Sequence, residues 1–458
     1  MIPVWMIWVQ CICFSALYAI WALPETILIR HICLIVGALI GLYEVYQYRR
    51  RFFQRRAIPA WLLLGLFVWM TFHLIFLSND FALQYQEYTT IWKRTALGAL
   101  FAIGWGLALA NTKLSPKVAR SLWVLVYLGL LAPTFIYIVK YVLTHYGVQK
   151  GWLVPEYWKL HYGSLPFYLP KTAYVCFCLP TLGIALGQLA RNISRHKWLH
   201  FANVIYLATV PAVIFVFYGD NIKNGVIYSA VLIAVFIAWL IFSKFHQRWL
   251  LKSLLIAVIL GSGIFFLANH IQKNDSWRTF QVDAKVALNT DQYQQWKYNG
   301  AQGYPNNELG VVVSSTNYER IAWGKEGIKL IWRYPLGYGL IERSFGHLGK
   351  IAWPDSILHQ SHSGWIDLAL GIGIPGIVLI LASLLTLLYR LGRLANPNQG
   401  LYLSDSPYQS MAWWALFSLL IMWCTTEISQ KVFFDSFIFW LALGSGLTLG
   451  RQSDRLTS

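Results

Sequence analysis

Charge is what this sequence has least of. Only 12% of its 458 residues are Asp, Glu, Lys or Arg, about half the share of an ordinary soluble domain. A chain of this length would make about three soluble domains, and so few charges cannot cover three soluble surfaces. Acids are the scarcer sign, 19 against 37 Lys and Arg, which leaves a formal charge of +18. Cysteine is sparse as well. Cys11, Cys13, Cys33, Cys176, Cys178 and Cys424 all fall in apolar runs, where they act as small hydrophobes. That excludes a disulfide scaffold, and neither C-x-C pair has the spacing or hydrophilic neighbours of a zinc site. The opening MIPVWMIWVQ lacks a basic stretch and a small-residue cleavage site, so it reads as a first span and not as a signal peptide. What the chain has instead is hydrocarbon. It is 57% apolar, with 23 Trp, 26 Tyr and 26 Phe, which excludes disorder. A sequence this apolar and this basic belongs in a membrane.

A spanning helix needs about 20 mostly apolar residues. Twelve segments qualify: 4–23, 27–46, 59–78, 95–112, 121–142, 172–189, 201–218, 225–243, 253–269, 363–389, 411–427 and 432–450. The fold class expected is therefore an all-α polytopic membrane protein with about twelve transmembrane helices. Arg49, Arg50, Arg51, Arg55 and Arg56 follow the second span and mark its end as cytoplasmic under the positive-inside rule. Alternating from there, segments 47–58, 113–120, 190–200, 244–252, 390–410 and 451–458 are cytoplasmic. They hold 18 Lys and Arg against two acids, Asp405 and Asp454, and both termini come out cytoplasmic.

The chain then divides into spans one to nine (1–269), a large outer loop between spans nine and ten (270–360), and spans ten to twelve (361–458). The loop is nearly balanced, with ten Lys and Arg against eight Asp and Glu, as suits a small folded cap. Within it, Asn317–Trp332 reads as an amphipathic helix. Ile321, Ile328, Ile331 and Trp332 fall on one side, while Glu319, Arg320, Lys325, Glu326 and Lys329 stay off it. Such a helix can lie in the membrane interface. A second outer loop, 143–171, carries Trp152, Pro155, Tyr157, Trp158, Pro166 and Pro170 and is expected at headgroup level.

On this topology every even-numbered span starts at the outer face, and most of those starts carry a cation. Arg30 lies in span two, Lys93 and Arg94 before span four, Lys171 before span six, Lys223 before span eight and Lys431 before span twelve; His362 opens span ten. Outer cations go against the positive-inside rule, and a helix N-terminus is already partly positive. A bound phosphorylated lipid resolves both conflicts; snorkelling to lipid phosphates is the plainer alternative for each residue singly. Two stretches stand out locally. Tyr218-Gly219-Asp220-Asn221-Ile222-Lys223-Asn224-Gly225 is a short polar turn opening span eight. His359-Gln360-Ser361-His362-Ser363-Gly364-Trp365 opens span ten. A helix N-terminus disfavours a protonated imidazole, so His362 is either a neutral base for a sugar hydroxyl or an interfacial residue bonded locally.

Together these residues resemble the O-antigen ligases and their relatives, the O-antigen polymerases and pilin O-oligosaccharyltransferases of bacterial inner membranes. The resemblance covers roughly 200–450 and the plan of many spans with one large late periplasmic loop. It is carried by Lys223-Asn224-Gly225 before a span, by Arg320 with Trp323 three residues on, and by the turn Pro335-Leu336-Gly337-Tyr338-Gly339. His362-Ser363, the run Gly371-Ile372-Gly373-Ile374-Pro375-Gly376, and Glu427 near the end of the penultimate span complete it. Two positions depart from the family pattern. Its turn usually has Arg where Lys223 stands, which keeps the charge but loses the bidentate fork, and it often has Glu where Gly371 stands.

The resemblance implies a membrane-embedded glycosyltransferase similar to the GT-C type. It would move a glycan from an undecaprenyl-pyrophosphate carrier to lipid A–core oligosaccharide at the periplasmic face, in lipopolysaccharide biosynthesis. The reaction it implies is inverting and needs neither metal nor cofactor. His362 would deprotonate the acceptor hydroxyl, with His359 as its substitute. Arg320, Lys223, Arg30 and Arg94 would neutralise the departing pyrophosphate; Lys93, Lys171 and Glu427 are weaker candidates. The same chemistry serves a pilin or growing-polymer acceptor, and the sequence does not separate these. A lipid-glycan flippase is the alternative from another class. Transporters usually show internal repeats and midspan charges; here no repeat is evident and midspan ionisable residues are few, with Glu44 and Asp435 near span ends and Asp367 in the first turns of span ten.

Overall fold

The computed structural model describes residues 2–160, 169–242, 249–273, 277–393, 406–426, 428 and 431–450. Among them there is helix and no strand, apart from one isolated antiparallel bridge between Asn306 and Val312. In chain order the helices are α1 (Val4–Ile20), α2 (Ile27–Gln47), α3 (Ile58–Phe76), α4 (Phe81–Glu87) and α5 (Lys93–Asn111). Then come α6 (Pro116–Val142), α7 (Lys171–Ser194), α8 (Ala202–Gly219), α9 (Lys223–Phe242) and α10 (Trp249–Lys273). A cap contributes α11 (Phe280–Leu288), α12 (Ser315–Arg333) and α13 (Ser344–Ala352), and α14 (Gly364–Arg393), α15 (Pro407–Met422) and α16 (Lys431–Thr448) complete the bundle. Among the described residues each of the twelve apolar segments contains a helix, the form in which an apolar segment satisfies its own backbone. Among the described residues α2, α3, α6, α7, α8, α9 and α14 are long and apolar enough to cross a membrane.

Glycine sets how closely the bundle helices approach. A Cβ at Gly104 would lie 2.3 Å from the Gly41 Cα, and one at Gly446 would lie 2.3 Å from the Ile103 carbonyl. Thus α2, α5 and α16 meet backbone to backbone, as small residues permit between apolar helices. Phe14 fills the space beside them, with Trp105, Phe439 and Trp440 ring centroids 4.7, 5.7 and 5.8 Å away. Helix α7 runs through the middle and is buried from Ala173 to Ala190.

The Pro-Leu-Gly-Tyr-Gly turn and the glycine run form one joint. Helix α14 breaks at Gly373 (φ 70°, ψ 174°), where Pro375 supplies no N–H. The carbonyls freed by the break are taken from outside the helix. Tyr338 N–H donates to Leu370 O and Gly339 N–H to Gly371 O, both at 2.8 Å, and Trp69 Nε1 donates to Ile372 O at 2.7 Å. In return Ile374 N–H donates to Pro335 O at 2.7 Å. Side chains are excluded here: a Cβ on Gly373 would lie 2.3 Å from Leu336 O and one on Gly337 2.4 Å from Gly373 N. Gly373→Ala therefore combines a left-handed strain of about 1–3 kcal/mol with a backbone clash. It is expected to lower the thermal midpoint of the purified protein by several degrees, which differential scanning measures.

The amphipathic helix is present as α12, and its large apolar residues divide: Ile321 and Ile331 pack partly buried against the cap core, and Ile328 and Trp332 do not. Tyr318, Ala322, Trp323, Gly327 and Leu330 are buried, while Ile328 and Trp332 are 52% and 75% exposed. Glu326, expected on the solvated side, is buried and accepts from Thr290 Oγ1 at 2.6 Å. The small residues decide this. A Cβ on Gly327 would meet Ile366 at 2.5 Å, so α12 can lie against α14 only on its Ala322–Gly327 side. That side joins Val286, Trp296, Phe345, Leu348 and Leu358 in a second core that seats the cap.

Candidate functional site

The turn between α8 and α9 is tight. Ile222 N–H bonds Phe217 O at 2.8 Å, Asn221 takes a left-handed backbone (φ 53°), and Gly225 lies against the Phe217 ring, where a Cβ would approach to 2.6 Å. Lys223 is thereby the first residue of α9. Its Nζ sits 4.4 Å from the Trp277 ring centroid and 5.6 Å from that of Phe280, and donates to Asn317 Oδ1 at 3.1 Å. Two aromatic faces attract the ammonium without neutralising it. The Asn317 amide is held in turn, its Nδ2 donating to Asp283 Oδ2 at 2.9 Å. Asp283 is buried, which opposes ionisation. Bonds from Asn307, Thr279, Asn317 and the Ser314 N–H outweigh that burial and hold its pKa below the ordinary aspartate value.

Around this lysine lies a cavity of about 620 Å³. Lys171, Lys223 and Arg320 line it beside Asn221, Asn224 and Thr426, and among the described residues its lining contains no carboxylate. Lys171 Nζ donates to Asp220 O at 2.7 Å. Arg320 Nη1 and Asn224 Nδ2 both reach Thr425 O, at 3.3 and 2.8 Å. Lys223 and Arg320 are close enough for their charges to act on each other. Three cations face one space that has no lining acid among the described residues, which makes the cavity electropositive.

His362 lies two residues before α14, with its ring against α12. Its backbone is left-handed (φ 56°), and the preceding Ser361 N–H is held by Asp367 Oδ1 at 2.8 Å. Its ring stacks on Trp323, with centroids 5.3 Å apart and planes 20° apart, while Trp323 Nε1 is anchored on Trp296 O at 2.8 Å. One helical turn before Trp323 stands Glu319, which accepts from Tyr304 Oη at 2.8 Å. Burial pushes the pKa of Glu319 up, and the Tyr304 bond and the charges of His362 and Arg320 pull the other way. Glu319 thus couples electrostatically to both the imidazole and the guanidinium.

The remaining candidates lie elsewhere. Arg94 pairs with Asp435 on α16, which also accepts from Thr95 Oγ1 at 2.6 Å. Arg30 donates to Trp21 O at 2.8 Å and feels the charges of Arg94 and Asp435. Neither lines the cavity. Lys93 is exposed. His359 is exposed too, with its carbonyl accepting from Gly346 N–H at 3.1 Å. Lys93, Lys171, Lys223 and Lys431 are the first residues of α5, α7, α9 and α16, but the helix N-termini are not equally free. The run Phe81–Glu87 continues through a π-turn, Tyr88–Trp92, into α5, so Lys93 N–H is already bonded to Tyr88 O. At α14, Gly364 N–H donates to Thr426 O and Trp365 N–H to Trp423 O. The side chain of Lys431 and the whole of Glu427 fall outside the described residues. Asp283, Asn317, Glu319 and Trp277 had no motif to announce them; only folding brings them beside Lys223, Arg320 and His362. Neither a protein-family model nor any curated protein matches the sequence.

Proposed function

We propose that the chain is an O-antigen ligase: a twelve-span, GT-C-type glycosyltransferase of a bacterial inner membrane. Both termini would be cytoplasmic and the cap periplasmic. It would transfer a glycan from undecaprenyl pyrophosphate to lipid A–core oligosaccharide. The observation that carries the reading is the cavity edged by Lys171, Lys223 and Arg320, with no lining carboxylate among the described residues, beside His362, whose ring stacks on Trp323 of the helix that carries Arg320. In the reaction, a ring nitrogen of His362 takes the proton of the acceptor hydroxyl as that oxygen bonds to the anomeric carbon. The bond from that carbon to the pyrophosphate oxygen breaks on the opposite side, which inverts the centre. The electron pair leaves with the pyrophosphate, whose added negative charge the three cations stabilise. Glu319 favours the imidazolium that forms.

The test is expression in a strain lacking its own ligase, with lipopolysaccharide and pilin examined together. Restored long-chain lipopolysaccharide is the expected result. Glycan found on pilin, or a lengthened lipid-linked polymer without transfer, would reassign the acceptor. Sidedness is checked in a Cys424→Ser background, because Cys424 is itself exposed. Ala301→Cys, on the exposed cap surface, is expected to react with an impermeant thiol reagent added to the periplasm. Labelling only after membrane disruption would reverse the topology.

A further inference from the structure

A second cavity, of about 310 Å³, lies between α7, α8 and α10, and its chemistry is opposite in kind. Ile193, Leu207, Leu254 and Val258 make its walls, while Trp198, His200 and Asn203 stand at one end. Leu254 and Val258 are 61% and 49% exposed, so the trough opens outward from the bundle. The polar end is a folded structure. Asn192 Nδ2 donates to Asn203 Oδ1 at 2.7 Å, and Asn203 Nδ2 donates to the Lys197 and Trp198 carbonyls at 2.8 Å. Lys197 N–H returns to Asn192 O at 2.9 Å. This clamp holds Trp198 and His200 at the mouth of the trough. His200 Nδ1 accepts from Ala202 N–H at 3.2 Å, which leaves Nε2–H as a donor. The sequence on this side carries one sign of charge. Segment 190–200 contains Arg191, Arg195 and Lys197 and no Asp or Glu.

We propose that this trough is a binding site for an anionic phospholipid, one acyl chain lying between α8 and α10 and the phosphate meeting His200 and Lys197. An apolar slot ending in basic residues complements a lipid that carries net negative charge. A zwitterionic lipid offers the same chains but brings a cation of its own to the basic end. Each Lys or Arg near a membrane surface favours an anionic lipid by about fivefold. The lipid site is independent of the glycosyl-transfer chemistry proposed above and stands or falls separately.

The experiment is native mass spectrometry of the delipidated full chain, offered equal amounts of phosphatidylglycerol and phosphatidylethanolamine with the same acyl chains. Wild type is expected to retain phosphatidylglycerol over phosphatidylethanolamine by about fivefold or more. Lys197→Glu combined with His200→Gln, both exposed positions, is expected to bring the two lipids to parity. Leu207→Trp, which fills the trough, is expected to lower retention of both. Equal retention by wild type, a preference that survives the double substitution, or binding indifferent to Leu207→Trp would each overturn the proposal.

Discussion

His362→Asn is expected to reduce glycan transfer by at least about 100-fold, the range for loss of a general base, while the protein still folds. Asparagine suits the test because it tolerates the left-handed backbone that position 362 requires, whereas alanine adds strain to the loss of the base. The fold does not depend on the ring. Trp323, on which the imidazole stacks, keeps its bond to Trp296 O and its buried place in the cap core. Glu319→Gln is the graded companion. It preserves an acceptor for Tyr304 Oη and removes the charge acting on His362. A cost of about tenfold, roughly 1.4 kcal/mol, is expected for a charge lost at half-buried depth. Full transfer by His362→Asn in membranes containing normal amounts of the protein would remove His362 as the base.

Lys223→Ala is expected to lower transfer by about 100-fold, as removal of a preorganised electrostatic donor does elsewhere. Lys223→Arg is expected to retain it. The guanidinium suits the same Trp277 face and can still donate to Asn317 Oδ1. Asp283→Asn tests how the lysine is held. The amide cannot accept as the carboxylate does from Asn307, Thr279, Asn317 and Ser314 N–H at once, so Asn317 loses its orientation and part of the Lys223 loss should follow. These outcomes are read as the transfer rate across a titration of the donor. Alanine and arginine variants that both match wild type would separate Lys223 from the pyrophosphate.

The helices were legible because hydrocarbon leaves an apolar segment little other choice, and lysine marks where several of them begin. What the sequence left unread depended on partners far along the chain. Arg94 looks like a cation awaiting an anion until Asp435, 341 residues on, supplies one. The side of α12 that meets α14 is fixed by Gly327, where a Cβ would meet Ile366, and apolar periodicity alone does not separate the packed Ile321 and Ile331 from the exposed Ile328 and Trp332. Asp283 and Asn317 are 34 residues apart, and Asn317 is 94 from Lys223, so no local spacing links them. The glycine-rich stretches were conspicuous, and the joint they make became visible only when Tyr338 and Gly339 were seen to satisfy the carbonyls freed at the α14 break.

The most direct measurement uses the purified protein with undecaprenyl-pyrophosphate-linked glycan and lipid A–core in the presence of a chelator. The expected result is one undecaprenyl pyrophosphate released for each glycan joined to lipid A–core, with the anomeric centre inverted. Both products should fall together in Lys223→Ala and His362→Asn. Absence of glycan on lipid A–core, or equal transfer by wild type and both variants, would contradict the account.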